Sequence, residues 1–246
     1  MLRATKIFQN KLRSIRDKYY YLNYGQESIS HFLKKSHYKM VLDVGCGQGR
    51  DLQIAKKHAK FDYLKLHGID IKTDTNLEKE GVDLLSVDIE KERLPFADES
   101  FDIVIANQVL EHAKEIFWIS NEICRVLKIN GRLIIGVPNL AALHNRLLLL
   151  IGKHPTCIKA GSAHVRGFTV SDLTGFYKDI GGLELLEIRG ENLYPFGPFV
   201  SKFLTKLLPN IAVSFFLLFE KKRKYQGNFI EFLKESKLET AFFQGK

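Results

Sequence analysis

Short apolar runs alternate with segments of helical composition along the first half of the chain. Five runs rich in Val, Ile or Leu predict buried strands, at residues 40–44, 64–71, 84–89, 101–107 and 132–139. Apolar positions at helical spacing predict helices at residues 51–59 and 116–127, the second ending on a basic residue and a glycine in residues 128–131. Strands that alternate with helices require a parallel sheet with helices on both faces.

The second half of the chain follows this pattern less regularly. Residues 140–151 form an unusually apolar helix candidate, which we expect to lie over the carboxyl edge of the sheet as a lid or substrate wall. A helix capped by Thr169 is predicted up to residue 180, where Gly181 and Gly182 stop it. Strands are predicted at residues 183–189 and 212–219. The predicted fold is therefore α/β, with a Rossmann-like, doubly wound, seven-stranded sheet.

Charge and composition divide the chain into three parts. The predicted parts are a basic N-terminal helical cap (1–39), a central domain (40–222) that includes the apolar segment 140–168, and a C-terminal helical tail (223–246). The net charge of +9 is concentrated at the two ends, because residues 1–39 carry +7 and residues 220–246 carry +3. Such ends suit either solubility or attraction to an anionic partner such as phospholipid, nucleic acid or a phosphorylated substrate.

A glycine-rich turn between the first strand and its helix predicts a ligand site. Its glycines alternate with other residues, at Gly45, Gly47 and Gly49. Glycine lets the backbone turn sharply and approach a ligand, and the helix start offers unpaired N–H groups. At the ends of the next two strands, Asp70 can accept hydrogen bonds from both ribose hydroxyls and Asp88 from an adenine amino group. Ile89 can lie on the ring, and residues 107–112 end the fourth strand at the same edge. The turn lacks the Gly-x-Gly-x-x-Gly spacing that holds a pyrophosphate, which disfavours a dinucleotide-dependent dehydrogenase.

The same residues carry a family resemblance. Residues 41–49, Asp70, the pair Asp88-Ile89, and residues 94–102, 107–112 and 127–131 resemble the motifs of class I S-adenosylmethionine-dependent methyltransferases. The set is similar to the small-molecule and lipid subgroup that includes the ubiquinone and menaquinone methyltransferases. The resemblance implies S-adenosylmethionine as cofactor, S-adenosylhomocysteine as product, and a last strand antiparallel to the others. It implies that the cofactor is bound by Asp43, Gly45, Cys46, Gly47, Gly49, Asp70, Ile71, Asp88, Ile89 and Asn107.

Candidates for the acceptor side are fewer. Residues 164–169 resemble a His-x-Arg-x-Phe-Thr segment of that subgroup, so His164 is our first candidate general base and His112 the second, although either histidine could be structural. Arg166 is a candidate anion contact. Tyr20 and Tyr21 are candidate substrate contacts that could cover a sulfonium, or could pack the N-terminal helix onto the body. A general base is needed only if the acceptor atom must lose a proton, and no metal is expected.

The residues thus predict methyl transfer to a small-molecule, glycan or lipid-linked acceptor, at oxygen or carbon. Residues 194–209 mix aromatics, leucines and lysines, which suits a membrane interface, the wall of an apolar pocket, or ordinary packing. An RNA methyltransferase and a non-catalytic cofactor-binding scaffold stay open as alternatives, although no RNA-binding module is recognisable and nucleic acid is disfavoured. Three cysteines without metal spacing, and no apolar run of spanning length, predict a cytoplasmic protein with peripheral contact to an anionic membrane surface.

Overall fold

A seven-stranded sheet forms the centre of the computed structural model, which describes residues 24–72 and 75–235. The strands in chain order are β1 (Met40–Val44), β2 (Lys65–Asp70), β3 (Val82–Ser86), β4 (Phe101–Asn107), β5 (Leu127–Pro138), β6 (Glu184–Glu191) and β7 (Ser214–Glu220). The helices are α1 (Gln26–Lys34), α2 (Arg50–His58), α3 (Thr75–Lys79), α4 (Ile116–Val126), α5 (Leu143–Leu150), α6 (Val170–Gly175), α7 (Pro198–Leu207) and α8 (Asn228–Lys234). A π-helical turn, Phe176–Ile180, continues α6, and a 3₁₀ turn, Pro209–Ile211, follows α7.

The strand order is β3-β2-β1-β4-β5-β7-β6. β7 runs antiparallel to both of its neighbours, and the other pairs are parallel, which confirms the predicted fold class. The chain winds outward in one direction from β1 to β3 and in the other from β4 onward. In such a sheet the loops after β1 and β4 diverge at the carboxyl edge and leave a crevice, where ligands of this architecture bind.

Helices cover both faces of the sheet, as expected. On one face α1 and α2 bury Ile29, Phe32 and Leu52 against the strands. On the other face α4, the π-helical turn and α8 bury Ile123, Tyr177 and Phe229. The second half of the predicted N-terminal cap is therefore part of the core, while its residues 1–23 and the tail beyond residue 235 lie outside the described chain. No helix among the described residues combines the length and hydropathy that a membrane-spanning segment needs.

Two predicted boundaries were wrong. β3 ends at Ser86, so Asp88 lies two residues beyond the strand. The glycine stop expected after α4 is absent, because the chain passes directly into β5 at Leu127. The buried ammonium of Lys221, at the end of β7, donates instead to the carbonyls of Cys124 (3.0 Å) and Leu127 (2.6 Å). A cation at the carboxyl end of a helix satisfies its last carbonyls, so a residue distant in sequence ends α4.

The cap predicted for α6 is confirmed, since the Thr169 hydroxyl accepts from the backbone N–H of Asp172 at 3.2 Å. The helix stops at Gly181 and Gly182, as expected, although its second half is π-helical. The helix predicted over residues 140–151 forms as the shorter α5.

We predict that Gly136→Ala in β5 destabilises the protein by about 2–3 kcal/mol, because overpacking a rigid core has this cost. A Cβ built on Gly136 would lie 2.3 Å from Asn107 Oδ1 and 2.5 Å from the Phe216 ring. Denaturant unfolding followed by circular dichroism measures the change. Gly161→Ala is the matched control, since nothing lies within 4 Å of a Cβ there. Equal stability of both variants would contradict the described packing of β4, β5 and β7.

Candidate active site

The glycine turn after β1 is anchored to the neighbouring strand. The backbone N–H groups of Gly45 and Cys46 both donate to the carbonyl of Ile69 in β2, at 2.8 and 3.0 Å. Gly45 has φ of +71°, and a Cβ there would lie 2.5 Å from Val109 Cγ2. Only glycine meets both conditions without strain, so the turn brings bare backbone to the carboxyl edge of the sheet.

Asp70 lies at the end of β2 and faces this turn. Its Oδ2 accepts from the N–H of Gly47 at 3.0 Å, and its Oδ1 from the N–H of Lys72 at 3.2 Å. A carboxylate offers about four acceptor sites, so both oxygens retain capacity for ligand hydroxyls. Asp88, beyond β3, is held by the N–H of Glu90 (3.2 Å) and by Lys91 Nζ (2.7 Å), and the hydrogen bond from Lys91 lowers its pKa. Asp88 is therefore charged at neutral pH.

A cavity of about 280 Å³ opens between these groups, which we name the cofactor cavity. Its lining is Gly45, Asp70, Ile71, Val87, Asp88, Ile89, Glu90, Gln108, Val109, His112 and Ala113. Five residues predicted to bind the cofactor are among them. The side chain of Ile71 is 65% exposed, an unusual state for a large apolar group beside two carboxylates. The lining therefore offers an apolar surface flanked by hydrogen-bond acceptors.

The other predicted cofactor residues lie around this cavity rather than in its lining. Asp43 is buried beneath the turn, and burial together with the nearby carboxylate of Asp51 raises its pKa. Cys46 is buried against Gly68, with its Sγ 2.8 Å from where a Cβ of that glycine would lie, and burial raises the pKa of its thiol to about 12. The thiol of Cys46 is therefore a packing group, not a nucleophile.

Asn107 takes part in a buried polar cluster below the cavity. Its Nδ2 donates to Asp51 Oδ2 at 2.7 Å and to the carbonyl of Tyr24 at 2.9 Å. Arg50 donates to both carboxylate oxygens of Asp51, at 2.8 and 3.1 Å, and to the same carbonyl of Tyr24 at 2.9 Å. This cluster joins the start of α2 and the end of β4 to the segment before α1. Asp43 and Asp51 share one guanidinium here, and the raised pKa of Asp43 favours its neutral form, so that Arg50 and Asp51 form the ion pair of the cluster.

Gln108 lies directly after β4 and separates the cofactor cavity from a second one. Its φ is +59°, in the left-handed region, and its N–H donates to the carbonyl of Gly136 at 2.7 Å. Its side-chain Nε2 is buried and has no hydrogen-bond partner within the described residues. A non-glycine residue in this conformation costs about 1–3 kcal/mol, and a buried unpaired amide adds to that cost. Both features are typical of a ligand site.

The second cavity, of about 340 Å³, is named the acceptor cavity. Its lining joins the 24–25 turn, the carboxyl ends of β4, β5 and β6, the amino end of β7 and the segment after β5, through Tyr24, Gly25, Gln108, Pro138, His144, Asn145, Thr156, Cys157, Glu191, Asn192, Tyr194, Val213, Ser214 and Phe216. Aromatic residues stand there among several polar ones, including the acidic residue Glu191.

A hydrogen-bond chain connects His144 to Thr156 and Asn145 in this cavity. The Thr156 hydroxyl lies 3.0 Å from Asn145 Oδ1 and 2.8 Å from His144 Nε2. When the hydroxyl donates to Asn145, His144 donates from Nε2, and its buried Nδ1, which has no partner among the described residues, carries the lone pair. Burial lowers the pKa of His144, so the ring is neutral at neutral pH.

The predicted bases His112 and His164 lie together at the edge of the cofactor cavity. Their rings meet edge to face with centroids 4.7 Å apart. His112 Nδ1 lies 3.2 Å from the carbonyl of Ala163, and His164 Nδ1 lies 2.6 Å from that of Cys157. The structure thus brings the two histidines together and, through Cys157, connects them to the acceptor cavity.

Glu111 completes a cluster with these two histidines. One ligand atom from each of the three residues lies within 4.8 Å of the others, a donor set that could hold a divalent cation or share a proton. Neither carboxylate oxygen of Glu111 has a hydrogen-bond partner within the described chain, and burial raises its pKa to about 7.

Arg166 anchors the loop that carries His164. Its guanidinium donates to the carbonyls of Ala113 (3.1 Å) and Lys114 (2.8 Å). These contacts join the loop to the start of α4. The other two predicted substrate contacts, Tyr20 and Tyr21, lie outside the described residues.

Sequence reasoning missed Gln108, Glu111 and His144 as site residues. Gln108 and Glu111 stood within the 107–112 segment that it placed beside the ligand. His144 lies in the segment that was predicted as an apolar lid, and no local sequence pattern links it to Thr156.

Comparison with known proteins agrees with this geometry. Residues 42–135, from β1 to within β5, match the family model described as a methyltransferase domain. An uncharacterized methyltransferase of Schizosaccharomyces pombe is 28% identical over 184 residues, which are 67% of this chain and 60% of that protein. Methyltransferase GfsG of Streptomyces halstedii is 29% identical over 189 residues, 70% of this chain and 63% of that protein. The chain thus spans less than two thirds of the length of these relatives.

The fold also matches solved structures. That of Burkholderia thailandensis 1,6-didemethyltoxoflavin-N1-methyltransferase, with bound 1,6-didemethyltoxoflavin and S-adenosylhomocysteine, superposes with a TM-score of 0.55. The match covers 89% of this chain and 87% of that one at 14% identity. The shared fold and the match to a methyltransferase domain agree with the class predicted from the sequence, whose cofactor is S-adenosylmethionine. The lining of the cofactor cavity suits that molecule, because it combines an exposed isoleucine, two carboxylates and an unpaired buried amide.

We predict that Glu111→Gln removes a pH-dependent loss of stability. The folded-state pKa of Glu111 is raised from 4.5 to about 7. The wild-type protein therefore loses stability relative to the variant as pH rises from about 4.5 to about 7, and the difference is constant above that range. At 1.36 kcal/mol per pKa unit the full effect is ~3 kcal/mol. Urea unfolding of both proteins at pH 5 and pH 8, with a chelator present, measures it. Parallel stability curves would show that Glu111 is not buried as described.

Proposed function

We propose that this chain, whose residues 42–135 form an S-adenosylmethionine-dependent methyltransferase domain, methylates a small molecule held in the acceptor cavity. The favoured acceptor atom is a hydroxyl oxygen, and the acceptor carries an apolar part. The observation that carries the proposal is the position of Gln108, which lines both cavities. Donor and acceptor held on its two sides are neighbours, and methyl transfer requires such alignment.

The cofactor would be held by the turn at Gly45, by the carboxylates of Asp70 and Asp88, and by the apolar side chains of Ile71 and Ile89. When bound, S-adenosylmethionine supplies a methyl group activated by its sulfonium. The carboxylates of Asp70 and Asp88, which line the cavity, are the acceptors nearest to such a cationic ligand.

The work left to the protein is orientation, exclusion of water and control of one proton. His144 suits the last task, because it lines the acceptor cavity and its Nδ1 has no hydrogen-bond partner among the described residues. A neutral histidine can accept the proton of an acceptor hydroxyl as the oxygen becomes nucleophilic. His164, the base predicted from the sequence, contacts the acceptor cavity only through the carbonyl of Cys157.

The acceptor class follows from the cavity lining. Tyr24 and Tyr194 provide aromatic surface, while Asn145 and Thr156 are occupied by their mutual hydrogen bonds. An acceptor with one polar reacting group and a larger apolar body fits best. Such acceptors include the quinone-like and lipid-linked compounds suggested by the family resemblance, which favours O-methylation over transfer to RNA.

We predict that Asp70→Ala lowers the affinity for S-adenosylhomocysteine by about 10–100-fold, because two charge-assisted hydrogen bonds are lost. Isothermal titration calorimetry of the purified protein measures this. Asp62→Ala is the matched control, since Asp62 is an exposed carboxylate outside both cavities and should bind like the wild-type protein. A well-folded wild-type protein that does not bind the ligand would overturn the proposed function.

We predict that His144→Asn lowers methyl transfer by about 10²–10⁴-fold, the usual contribution of a general base, with cofactor affinity unchanged. The assay follows labelled methyl groups from S-adenosylmethionine into organic extracts of cells. In the wild-type protein the rate should fall on acidification, when His144 becomes protonated. His154→Asn, an exposed histidine nearby, is the control, and His164→Asn tests the competing base. A greater loss in His164→Asn than in His144→Asn would reverse the assignment.

A further inference from the structure

We propose that α5 and α7 form a face that docks on an anionic lipid bilayer, with the acceptor cavity beside the contact. We name this surface the docking face. The proposal concerns surface chemistry and does not depend on which acceptor is methylated or on the base. It depends on four observations: the orientation of each helix, the connection between them, and the charge of the two segments that carry them.

The first observation is that α7 is amphipathic, with its polar side packed against the protein and its apolar side exposed. Its buried side consists of Ser201 and Thr205, which are 4% and 2% exposed. Its outer side consists of Phe199, Phe203 and Leu207, spaced four residues apart, and Phe199 is 90% exposed. A helix on a water-soluble surface normally turns its apolar side to the core and its polar side to solvent.

The small polar residues of α7 are held in that orientation by specific bonds. The Ser201 hydroxyl reaches the carbonyls of Leu193 (3.2 Å) and Phe196 (3.0 Å), and the Thr205 hydroxyl donates to the carbonyl of Ser201 at 2.8 Å. The segment before the helix therefore fixes its rotation. The phenylalanines are exposed because the fold directs them outward.

The second observation is that α5 has the same reversed orientation. Its one buried residue is Asn145, which donates to the carbonyl of Asn139 and accepts from the N–H of Thr156. Large apolar side chains at its carboxyl end are instead exposed: Leu147, Leu149, Leu150 and Ile151. Leu150 is 81% exposed.

The third observation is that the two helices lie side by side at the acceptor cavity. His144 of α5 packs edge to face against Tyr194, four residues before α7, with ring centroids 5.2 Å apart. Arg146 of α5 donates to the carbonyl of Asn210, three residues after α7, at 3.4 Å. The segments on both sides of α7 thus contact α5, so the two helices with exposed apolar side chains belong to the same side of the molecule.

The fourth observation is the charge of the two segments, which indicates what kind of partner binds the docking face. Residues 140–171 and 192–219 contain no Asp or Glu, although the whole chain has 28. The same segments contain six basic residues: Arg146, Lys153, Lys159, Arg166, Lys202 and Lys206. Of these, Lys202 pairs with Glu27 at 2.8 Å in an exposed contact, which contributes little in water. Apolar side chains next to cations, on segments that carry no carboxylates of their own, suit the boundary between acyl chains and anionic headgroups.

Binding of an apolar protein partner, or of a second copy of this chain, does not account for two segments with six basic residues and no acidic ones. A self-complementary interface would place the same cations near one another, which is unfavourable. A bilayer also fits the site, since an acceptor with a long apolar part could enter the cavity from the membrane.

The test is flotation of the full chain with vesicles of phosphatidylcholine, with and without phosphatidylglycerol. We expect binding to the anionic vesicles, and a reduction of about tenfold or more in the variant Phe199→Ser/Phe203→Ser. Lys202→Gln/Lys206→Gln should weaken binding to anionic vesicles but leave the weak binding to neutral ones unchanged. Tyr63→Ser is the control, because Tyr63 is 61% exposed but precedes β2, at the opposite edge of the sheet.

Two results would overturn the docking face: no binding to anionic vesicles, or equal binding by the wild-type protein and the Phe199/Phe203 variant. The second result would assign binding to another part of the chain. A dimer in light scattering that the same variant abolishes would assign the face to a second copy and also overturn the proposal. S-adenosylhomocysteine binding should be equal in all these variants, which separates this outcome from a failure of the proposed function.

Discussion

The backbone of Gln108 is the constraint on which the site depends. β4 lies at the centre of the sheet, where its neighbours diverge, and the chain must turn at its end without closing the crevice. The left-handed conformation at Gln108, fixed by its bond to Gly136, achieves this turn. It places one side chain between two cavities, at a cost in backbone strain and in an unpaired amide. A strained backbone and an unpaired amide are expected where ligand binding, rather than folding, requires that conformation.

The two cavities differ in the charge of the groups that line them. The cofactor cavity is lined by three acidic side chains, those of Asp70, Asp88 and Glu90, so a cation is favoured there. The acceptor cavity holds a neutral histidine whose pKa is lowered by burial. A cationic donor and a neutral base on opposite sides of one residue match the needs of methyl transfer, in which positive charge on sulfur disappears as the acceptor loses a proton.

The sequence was sufficient for the fold, and it indicated which residues meet at the cofactor cavity, because those features are local. Strand runs, the glycine turn and Asp70 follow one another within thirty residues, and their geometry is dictated by strand ends at one edge of a sheet. The acceptor side depends on contacts between distant segments. Nothing near His144 in the sequence indicates that its ring will contact Thr156 and Tyr194. The end of α4 was missed for the same reason, since Lys221 caps it from almost a hundred residues away.

The outward orientation of the apolar sides of α5 and α7 could not be predicted from the sequence, since apolar spacing alone does not distinguish a side that packs in the core from one that is exposed.

The central claim is that donor and acceptor lie on the two sides of Gln108, and a crystal structure with S-adenosylhomocysteine tests it most directly. We predict that the ribose contacts Asp70, the adenine lies beside Asp88 and Ile89, and the sulfur faces Gln108. Density for the ligand in the cavity lined by His144 and Tyr194, with the cavity at Asp70 empty, would contradict the account.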